Sequence, residues 1–340
     1  MTSLTKAGGC GCKISPKALK EILKYKRGIT SNNLIVGNED FDDAAVYQIK
    51  DDLAIVSTVD FFSPIVDDPF IYGEIAAANA ISDVYAMGGR PFLALSVLGI
   101  PSDLVAPNTA AEIIEGAINT CNKAGVILAG GHTIENPQPI FGLVVNGSIE
   151  ISNIKRNNQA KIGNILYLTK PLGVGILSTA IKIGKIKPED YENAISNMTK
   201  LNSIGAELSK FKFVTSMTDV TGYGLLGHLI EICKASCVSA KLFASKIPVL
   251  PNVENYISEG IITSGGKRNW NSYGHQVIGS NEIENWLYSD PQTNGGLLIC
   301  VDDNFRQLFE EILTDFGLKS FANPIGQITE QNDNFITLTR

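Results

Sequence analysis

The sequence predicts an α/β or α+β protein of two domains. Each half of the 340-residue chain alternates segments of helical periodicity with short runs rich in β-branched residues. At about 150 residues per domain, the length is sufficient for two. A polar, basic stretch at 152–163 separates the halves and is the predicted linker. We therefore expect an arm at 1–15, an N-terminal domain at 16–151 and a C-terminal domain at 164–340.

The elements of the N-terminal half follow from caps, β-branched runs and glycine stops. Ser15-Pro16 is typical of a helix start, because Ser caps a helix and Pro suits its first turn. Gly88-Gly89 ends a long helical pattern. The predicted elements after the first helix are strands at 44–49 and 53–59, a helix at 69–87, a strand at 92–99, a helix at 107–124, and strands at 126–129 and 140–149.

The C-terminal half alternates in the same way. Gly265-Gly266-Lys267-Arg268-Asn269 lies in a predicted polar loop at 260–271 that could order over a ligand. The other predicted elements begin with a strand at 165–169, short helices after it and a strand that ends near Met217. Strands are also predicted at 240–243, 296–301 and 335–338, and helices at 223–235 and 304–316.

Composition excludes several classes of function. The 28 basic and 35 acidic residues give a net charge of −7, which argues against a general binder of nucleic acid or membrane surfaces. A polyphosphate ligand stays open, because bound metal ions can supply positive charge. No secretory signal follows Met1, and the apolar stretches are far shorter than the ~20 residues of a membrane span. With six scattered cysteines, we expect a soluble, cytoplasmic protein.

The first chemical signal is the segment Gly8-Gly9-Cys10-Gly11-Cys12-Lys13. Glycine lets a backbone approach a ligand closely, and a nearby Lys favours the reactive thiolate. The segment is interpreted as a mobile arm with a reactive sulfur and a cation for phosphate. An ordinary disordered terminus is the alternative.

Acidic residues form the second signal. Three aspartates lie within Asn38–Asp43, where a solvated turn is the alternative to a cation site. Asp60 follows an apolar run and is predicted to end a strand. Asn79 and Asp83 project from one face of a small, apolar helix, and a structural hydrogen-bonded pair is the alternative there.

Glycine-bearing turns complete the pattern. Asp219 ends a predicted strand before Gly222 and a helix, whose N-terminus offers N–H groups to an anion. Gly130-Gly131-His132-Thr133 is predicted as a similar turn. Oxygen ligands of this kind suit Mg²⁺, which often shares carboxylates with phosphates. The set indicates nucleotide phosphoryl chemistry without a Walker A sequence, which is absent.

Together these residues resemble selenophosphate synthetase (selenide, water dikinase), a family in the superfamily of aminoimidazole ribonucleotide synthetase. The resemblance covers nearly the whole chain. The acidic motifs are shared across the superfamily, whereas the Gly-Cys-Gly-Cys-Lys segment is specific to this family. The matching segments are Gly9-Cys10-Gly11-Cys12-Lys13, Gly37-Asn38-Glu39, Asp42-Asp43-Ala44-Ala45-Val46, Ala80-Ile81-Ser82-Asp83, Met87-Gly88-Gly89, Ala129-Gly130-Gly131-His132, Met217-Thr218-Asp219-Val220-Thr221-Gly222 and Asp290-Pro291-Gln292-Thr293-Asn294-Gly295-Gly296.

The resemblance implies a two-domain fold like that of aminoimidazole ribonucleotide synthetase. The N-terminal sheets of two subunits would pair into a β-barrel across a homodimer, with the active site at that interface. The implied reaction converts ATP, selenide and water into selenophosphate, AMP and orthophosphate.

The resemblance also implies the roles of individual residues. Asp40-Phe41 and Val59 differ from the family pattern, which affects nucleotide packing and not the metal ligands. The residues do not reveal whether K⁺ is required beside Mg²⁺. The implied set is Cys10 and Lys13 for catalysis; Asp43, Asp83 and Asp219 for Mg²⁺; Lys13, Asp40, Phe41, Asp42 and Asp60 for the nucleotide; and Gly131, His132 and Thr133 as a contact from the neighbouring subunit.

Two alternatives to this function stay open. One is another ATP-dependent enzyme of the same superfamily, which the thiol arm disfavours. The other is a non-catalytic redox or metal carrier that uses Cys10 and Cys12. A carrier would not need five aspartates arranged around glycine turns.

Overall fold

The computed structural model describes residues 1–5, 8–14, 19, 21–22, 31–37 and 39–340, with Cys12 described by its backbone alone. The start and end of the helix predicted from Ser15 lie outside these residues. The strands are β1 Leu34–Val36, β2 Ala45–Lys50, β3 Leu53–Phe62, β4 Arg90–Ile100, β5 Ile127–Glu135, β6 Ile140–Glu150, β7 Ile165–Leu168, β8 Val214–Asp219, β9 Ser239–Phe243, β10 Val277–Ile278, β11 Leu297–Val301, β12 Gly326–Thr329 and β13 Ile336–Thr339.

The helices predicted at 69–87, 107–124, 223–235 and 304–316 are present within two residues of those bounds. Asp68 caps α1 by accepting a hydrogen bond from the Ile71 N–H at 2.9 Å, and Gly125 ends α2 in the left-handed conformation. The α-helices are α1 Pro69–Ala86, α2 Pro107–Ala124, α3 Val174–Lys182, α4 Pro188–Thr199, α5 Ile204–Leu208, α6 Gly224–Ser236, α7 Val253–Ser258, α8 Ser264–Tyr273, α9 Glu282–Tyr288 and α10 Arg306–Asp315.

The N-terminal domain is one mixed sheet with two helices on one face. Its six strands run in the order β1-β2-β3-β6-β4-β5, with all neighbours antiparallel except β4 and β5. Helices α1 and α2 pack together, and α1 lies against β3 and β6. The opposite face carries exposed apolar side chains, so the described chain covers only one side of this sheet.

The C-terminal domain is a seven-stranded sheet in the order β10-β13-β9-β12-β7-β11-β8. Every residue of β7, β8 and β11 is buried. One face of these strands joins a hydrophobic core that continues into the N-terminal domain. The other face packs on α10 through Tyr167, Phe309 and Leu313. These three strands therefore have apolar cover on both sides.

The predicted linker at 152–163 is a packed segment. Ile154, Lys155, Asn157 and Ala160 are buried, and two short 3₁₀ turns occupy Ile151–Asn153 and Asn157–Gln159. Lys155 Nζ donates to the carbonyls of Phe211 and Val214 at 2.9 and 2.7 Å. These contacts fix the linker against the C-terminal domain.

Three local predictions differ from the structure. The loop predicted at 260–271 contains α8, because the Thr263 hydroxyl accepts from the Gly266 N–H at 2.8 Å and caps a helix there. Asp60 lies inside β3, two residues before its end, and the turn predicted at Gly130–Thr133 is part of β5. Among the described residues, no helix is long and apolar enough to cross a membrane.

Candidate active site

Three of the predicted aspartates meet between the two domains. Asp43 lies two residues before β2, Asp83 lies in the last turn of α1, and Asp219 is the last residue of β8. One carboxylate oxygen from each lies within 4.8 Å of the others. Residues far apart in the sequence, from both domains, are thus brought to one point.

A hydroxyl group from another element holds each of these carboxylates. The hydrogen bonds leave further oxygens of each carboxylate for a cation, and Asp43 Oδ2 is buried without a hydrogen-bond partner. The donors are Thr218 Oγ1 to Asp43 Oδ1 at 2.8 Å, Thr58 Oγ1 to Asp83 Oδ2 at 2.6 Å, and Ser82 Oγ to Asp219 Oδ2 at 2.5 Å.

The electrostatics of the cluster favour a bound cation. Burial, followed by mutual repulsion, raises the pKa values of Asp43 and Asp83 well above the ordinary value for Asp. Burial also raises the pKa of Asp219. A divalent cation would relieve both the repulsion and the unpaired oxygen, and an all-oxygen donor set suits Mg²⁺. The residues present therefore fit that ion.

The arm carrying Cys10 and Lys13 lies beside this cluster. Residues Gly9–Cys12 form a 3₁₀ turn, and Cys10 is 1% exposed. Its Sγ donates to Asn79 Oδ1 at 3.2 Å. Asn79 Nδ2 donates to Asp60 Oδ2 at 2.7 Å, and Lys13 Nζ lies 3.3 Å from the same oxygen. The buried amide of Asn79 thus links the Cys10 thiol to Asp60, and Asp60 in turn contacts the Lys13 ammonium.

Neighbouring carboxylates determine the charge on Lys13. Burial works against the ammonium, but Asp60, followed by Cys10, Asp83 and Asp219, outweighs it and raises the pKa of Lys13 well above its ordinary value. Lys13 is therefore a permanent cation next to the acidic cluster.

The acidic loop before β2 contacts the linker. Asn157 N–H donates to Asp42 Oδ1 at 2.7 Å, Asn158 Nδ2 donates to Asp40 Oδ2 at 2.7 Å, and Arg156 Nη2 lies 3.4 Å from that same Asp40 oxygen. Burial raises the pKa of Asp42. Phe41 has a left-handed backbone, with φ of 58°, and a ring that is 48% exposed. The linker thus holds Asp40 and Asp42 and leaves Phe41 exposed.

Gly131, His132 and Thr133 lie apart from this cluster, on the exposed edge strand β5. A Cβ at Gly131 would lie 2.1 Å from the Ser96 carbonyl oxygen, so only glycine allows this approach of β5 to β4. His132 is opposite Val97 in the register. Within one chain, the structure does not bring these three residues to the carboxylates.

Several site residues carried no clear sequence signal. Thr58, Arg156 and Asn157 reach the aspartates from a strand and from a segment interpreted only as a linker. Thr293 and Asn294 lie in a motif whose residues had no assigned role, yet Asn294 N–H donates to Asn79 Oδ1 at 2.7 Å. The only sequence signal for Thr293 and Asn294 was their position next to the glycines Gly295-Gly296.

Comparison with known proteins first defines the class. Two family models match the chain: AIR synthase related protein, N-terminal domain, over residues 41–149, and AIR synthase related protein, C-terminal domain, over 161–339. The fold agrees with the crystal structure of thiamine-monophosphate kinase from Stenotrophomonas maltophilia. That chain superposes with a TM-score of 0.66 at 18% identity, covering 95% of this chain and 94% of that one.

Curated relatives narrow the class. Selenide, water dikinase of Photorhabdus laumondii is 48% identical over 339 residues, covering 99% of this chain and 97% of the relative. The enzyme of the same name from Yersinia pseudotuberculosis is 50% identical over 330 residues, covering 97% and 94%. The chain belongs to the selenide, water dikinase family of the AIR synthase related proteins.

Proposed function

We propose that this protein is a selenide, water dikinase that converts ATP, selenide and water into selenophosphate, AMP and orthophosphate. One observation carries the proposal. Carboxylates from both domains converge next to an arm that bears the buried Cys10 and the exposed Lys13, in a chain 48% identical to a relative of that name over 99% of its length. A thiol carrier would have no use for the acidic cluster.

We assign Asp43, Asp83 and Asp219 as ligands of Mg²⁺. The support is their convergence within 4.8 Å, the unpartnered Asp43 Oδ2 and the raised pKa values. When bound, Mg²⁺ supplies positive charge that neutralises triphosphate oxygens and aligns them. A K⁺ requirement is left to experiment.

The nucleotide contacts in this proposal are Lys13, Asp40, Phe41, Asp42 and Asp60. Lys13 stabilises negative charge on the phosphate oxygens during transfer, and its raised pKa keeps it protonated. Asp60 holds the ammonium at 3.3 Å. The exposed Phe41 ring offers an apolar surface to the nucleotide.

Two displacements at phosphorus account for the products. Selenide attacks the γ-phosphorus, a selenium–phosphorus bond forms, and the bond to the bridging oxygen breaks to release ADP. Water then attacks the β-phosphorus, and cleavage of the next bridging bond gives AMP and orthophosphate. The buried Cys10 arm restricts water during the first step, so that selenide reaches phosphorus before water does.

A homodimer is part of the proposal. The open face of the N-terminal sheet presents Val59, Leu95 and Ile127 with exposures of 53, 39 and 68%, which is typical of an interface. Phe61 and His132 lie in one row of that sheet, through Gly142 and Val97. Pairing of two such faces would carry Gly131, His132 and Thr133 to the partner's nucleotide. Cys121, Cys233 and Cys300 are buried and form no disulfide among the described residues, which supports a cytoplasmic location.

The decisive experiment is anaerobic incubation with ATP and Mg²⁺, with and without selenide and K⁺, followed by phosphorus NMR. A selenium-bound phosphorus signal together with AMP is the expected result. Cys10→Ser should abolish selenide-dependent AMP formation, whereas Cys237→Ser, a change at an exposed thiol, should not alter it. ADP as the final product, or no turnover, would refute the proposal in favour of another superfamily enzyme or a carrier.

A further inference from the structure

The arm at 8–13 rests on the C-terminal domain through two hydrogen bonds. The Cys10 N–H donates to Thr293 Oγ1 at 3.0 Å. Arg268 Nη2, from α8, donates to the Gly11 carbonyl at 2.8 Å. Both bonds reach backbone atoms of the arm, on either side of the Cys10 side chain. They therefore fix the path of the arm whatever that side chain does.

The surface beneath the arm has glycines where a side chain would crowd the arm. A Cβ at Gly222 would lie 2.9 Å from Lys13 Cδ and 3.2 Å from the Cys10 carbonyl oxygen. A Cβ at Gly265 would lie 2.6 Å from Pro291 Cγ and 3.5 Å from Gly11 Cα. Small residues at both places permit close approach of the arm backbone.

The N-terminal domain also holds this segment, through the hydrogen bond from Cys10 Sγ to Asn79 and two further contacts. Gly9 N–H donates to the Ser63 carbonyl at 2.9 Å, and Lys13 pairs with Asp60. Thr293 is buried, whereas Arg268 is exposed on its helix. Water can replace the hydrogen bond of the exposed Arg268 guanidinium at little cost. Loss of the bond to the buried Thr293 hydroxyl costs more, because a buried polar group would be left without a partner.

We propose that Thr293 and Arg268 form a latch that positions the arm, and with it the Cys10 thiol, for the selenide step. This inference rests on the proposed function. Neither residue contacts the carboxylate cluster, so both are positioning residues. Loss of the latch presents Cys10 poorly and exposes it to solvent, whereas Lys13 stays paired with Asp60, so ATP stays bound.

The first readout is the alkylation rate of Cys10 by iodoacetamide in the full-length protein. Peptide mass spectrometry measures it, fragmentation resolves Cys10 from Cys12, and the exposed Cys237 is the internal reference. Arg268→Ala should raise the Cys10 rate about two- to tenfold, the usual effect of one lost hydrogen bond, and Thr293→Val should raise it more. Thr293→Ser and Arg268→Lys should recover most of the protection.

The matched control is Lys267→Ala, a neighbouring exposed cation on α8, which should leave the Cys10 rate unchanged. The Cys237 rate should be the same in all variants, and the buried Cys233 and Cys300 should stay unmodified, which shows that the variants are folded. A Cys10 rate equal to wild type in both Arg268→Ala and Thr293→Val would overturn the latch.

The second readout is the split of kinetic constants. Both latch variants should raise KM for selenide and leave KM for ATP near wild type; an equal rise in both constants would refute a role confined to the selenide step. The alkylation result does not depend on activity. If the wild-type protein made no selenophosphate, the proposed function would fail. A faster alkylation of Cys10 in the latch variants would still establish the latch.

Discussion

The two sheets of this protein differ in what covers them. The N-terminal sheet has helices on one face and exposed apolar side chains on the other, whereas the strands β7, β8 and β11 of the C-terminal sheet are buried throughout. Hydrophobic burial is the main stabilising term in folding, so this exposed apolar face is where the proposed dimer would form. The strands β7, β8 and β11 are covered on both faces within one chain, and Asp219 is the last residue of β8.

The largest expected effect tests whether the site needs both domains. Asp219→Asn removes the one cluster carboxylate from the C-terminal domain, and Asp43→Asn removes one from the N-terminal domain. Each should lower Mg²⁺-dependent affinity for ATP by about 100-fold, because a ligand is lost. Isothermal titration calorimetry with and without Mg²⁺ measures this. Asp103→Asn, at an exposed site, is the control. Unaltered affinity for ATP in either variant would show that the site does not need carboxylates from both domains.

The next effect concerns the open face. Val59→Glu places a charge among exposed apolar side chains and should convert the proposed dimer to a monomer, because burying an unpaired carboxylate is costly. Light scattering after size-exclusion chromatography measures the mass. Ile278→Glu, at a 46% exposed position of the C-terminal sheet, should leave the mass unchanged. A monomeric wild-type protein would contradict the assignment of this face as an interface.

The smallest expected effect is a change in the pH dependence of stability, caused by the buried Asp290 of the C-terminal domain. Burial raises the pKa of Asp290 from 3.8 to about 7, so the folded protein holds this proton while the unfolded chain loses it. Its contribution to the free energy of unfolding is full below about pH 4 and lost as the pH rises to about 7, on the order of 2 kcal/mol after relaxation.

Asp290→Asn should therefore flatten the dependence of stability on pH in that window. Urea unfolding at a series of pH values gives the slope, and the exposed Asp303→Asn should keep the wild-type slope. An equal slope in wild type and Asp290→Asn would show that Asp290 does not titrate there.

Much of the fold was predictable because local signals were strong. The bounds of α2 match the prediction, and those of α1 differ by one residue at its end, since Pro and Gly mark their termini. The two-domain α/β class is confirmed by both family models. The turn predicted at Gly130–Thr133 was wrong, because pairing with β4 overrides the local preference of two glycines.

The candidate site was predictable in part. Asp43, Asp83 and Asp219 were singled out by their positions at element ends and on an apolar helix, and they do converge. Arg156, Asn157 and Thr293 were not, because their roles depend on contacts between segments more than 100 residues apart. Nothing in the local sequence encodes such distances. The assigned roles of all these residues stay predictions.

The sequence by itself determined the class of fold, the family and the residue types available for chemistry, since periodicity, caps and motifs are local properties. Only the tertiary structure decided which side chains meet. Packing of the two domains joins Asp219 to Asp43, and the C-terminal domain supplies the hydroxyl that holds the Cys10 backbone. Burial and the resulting pKa shifts arise only then, because desolvation and charge repulsion depend on three-dimensional proximity.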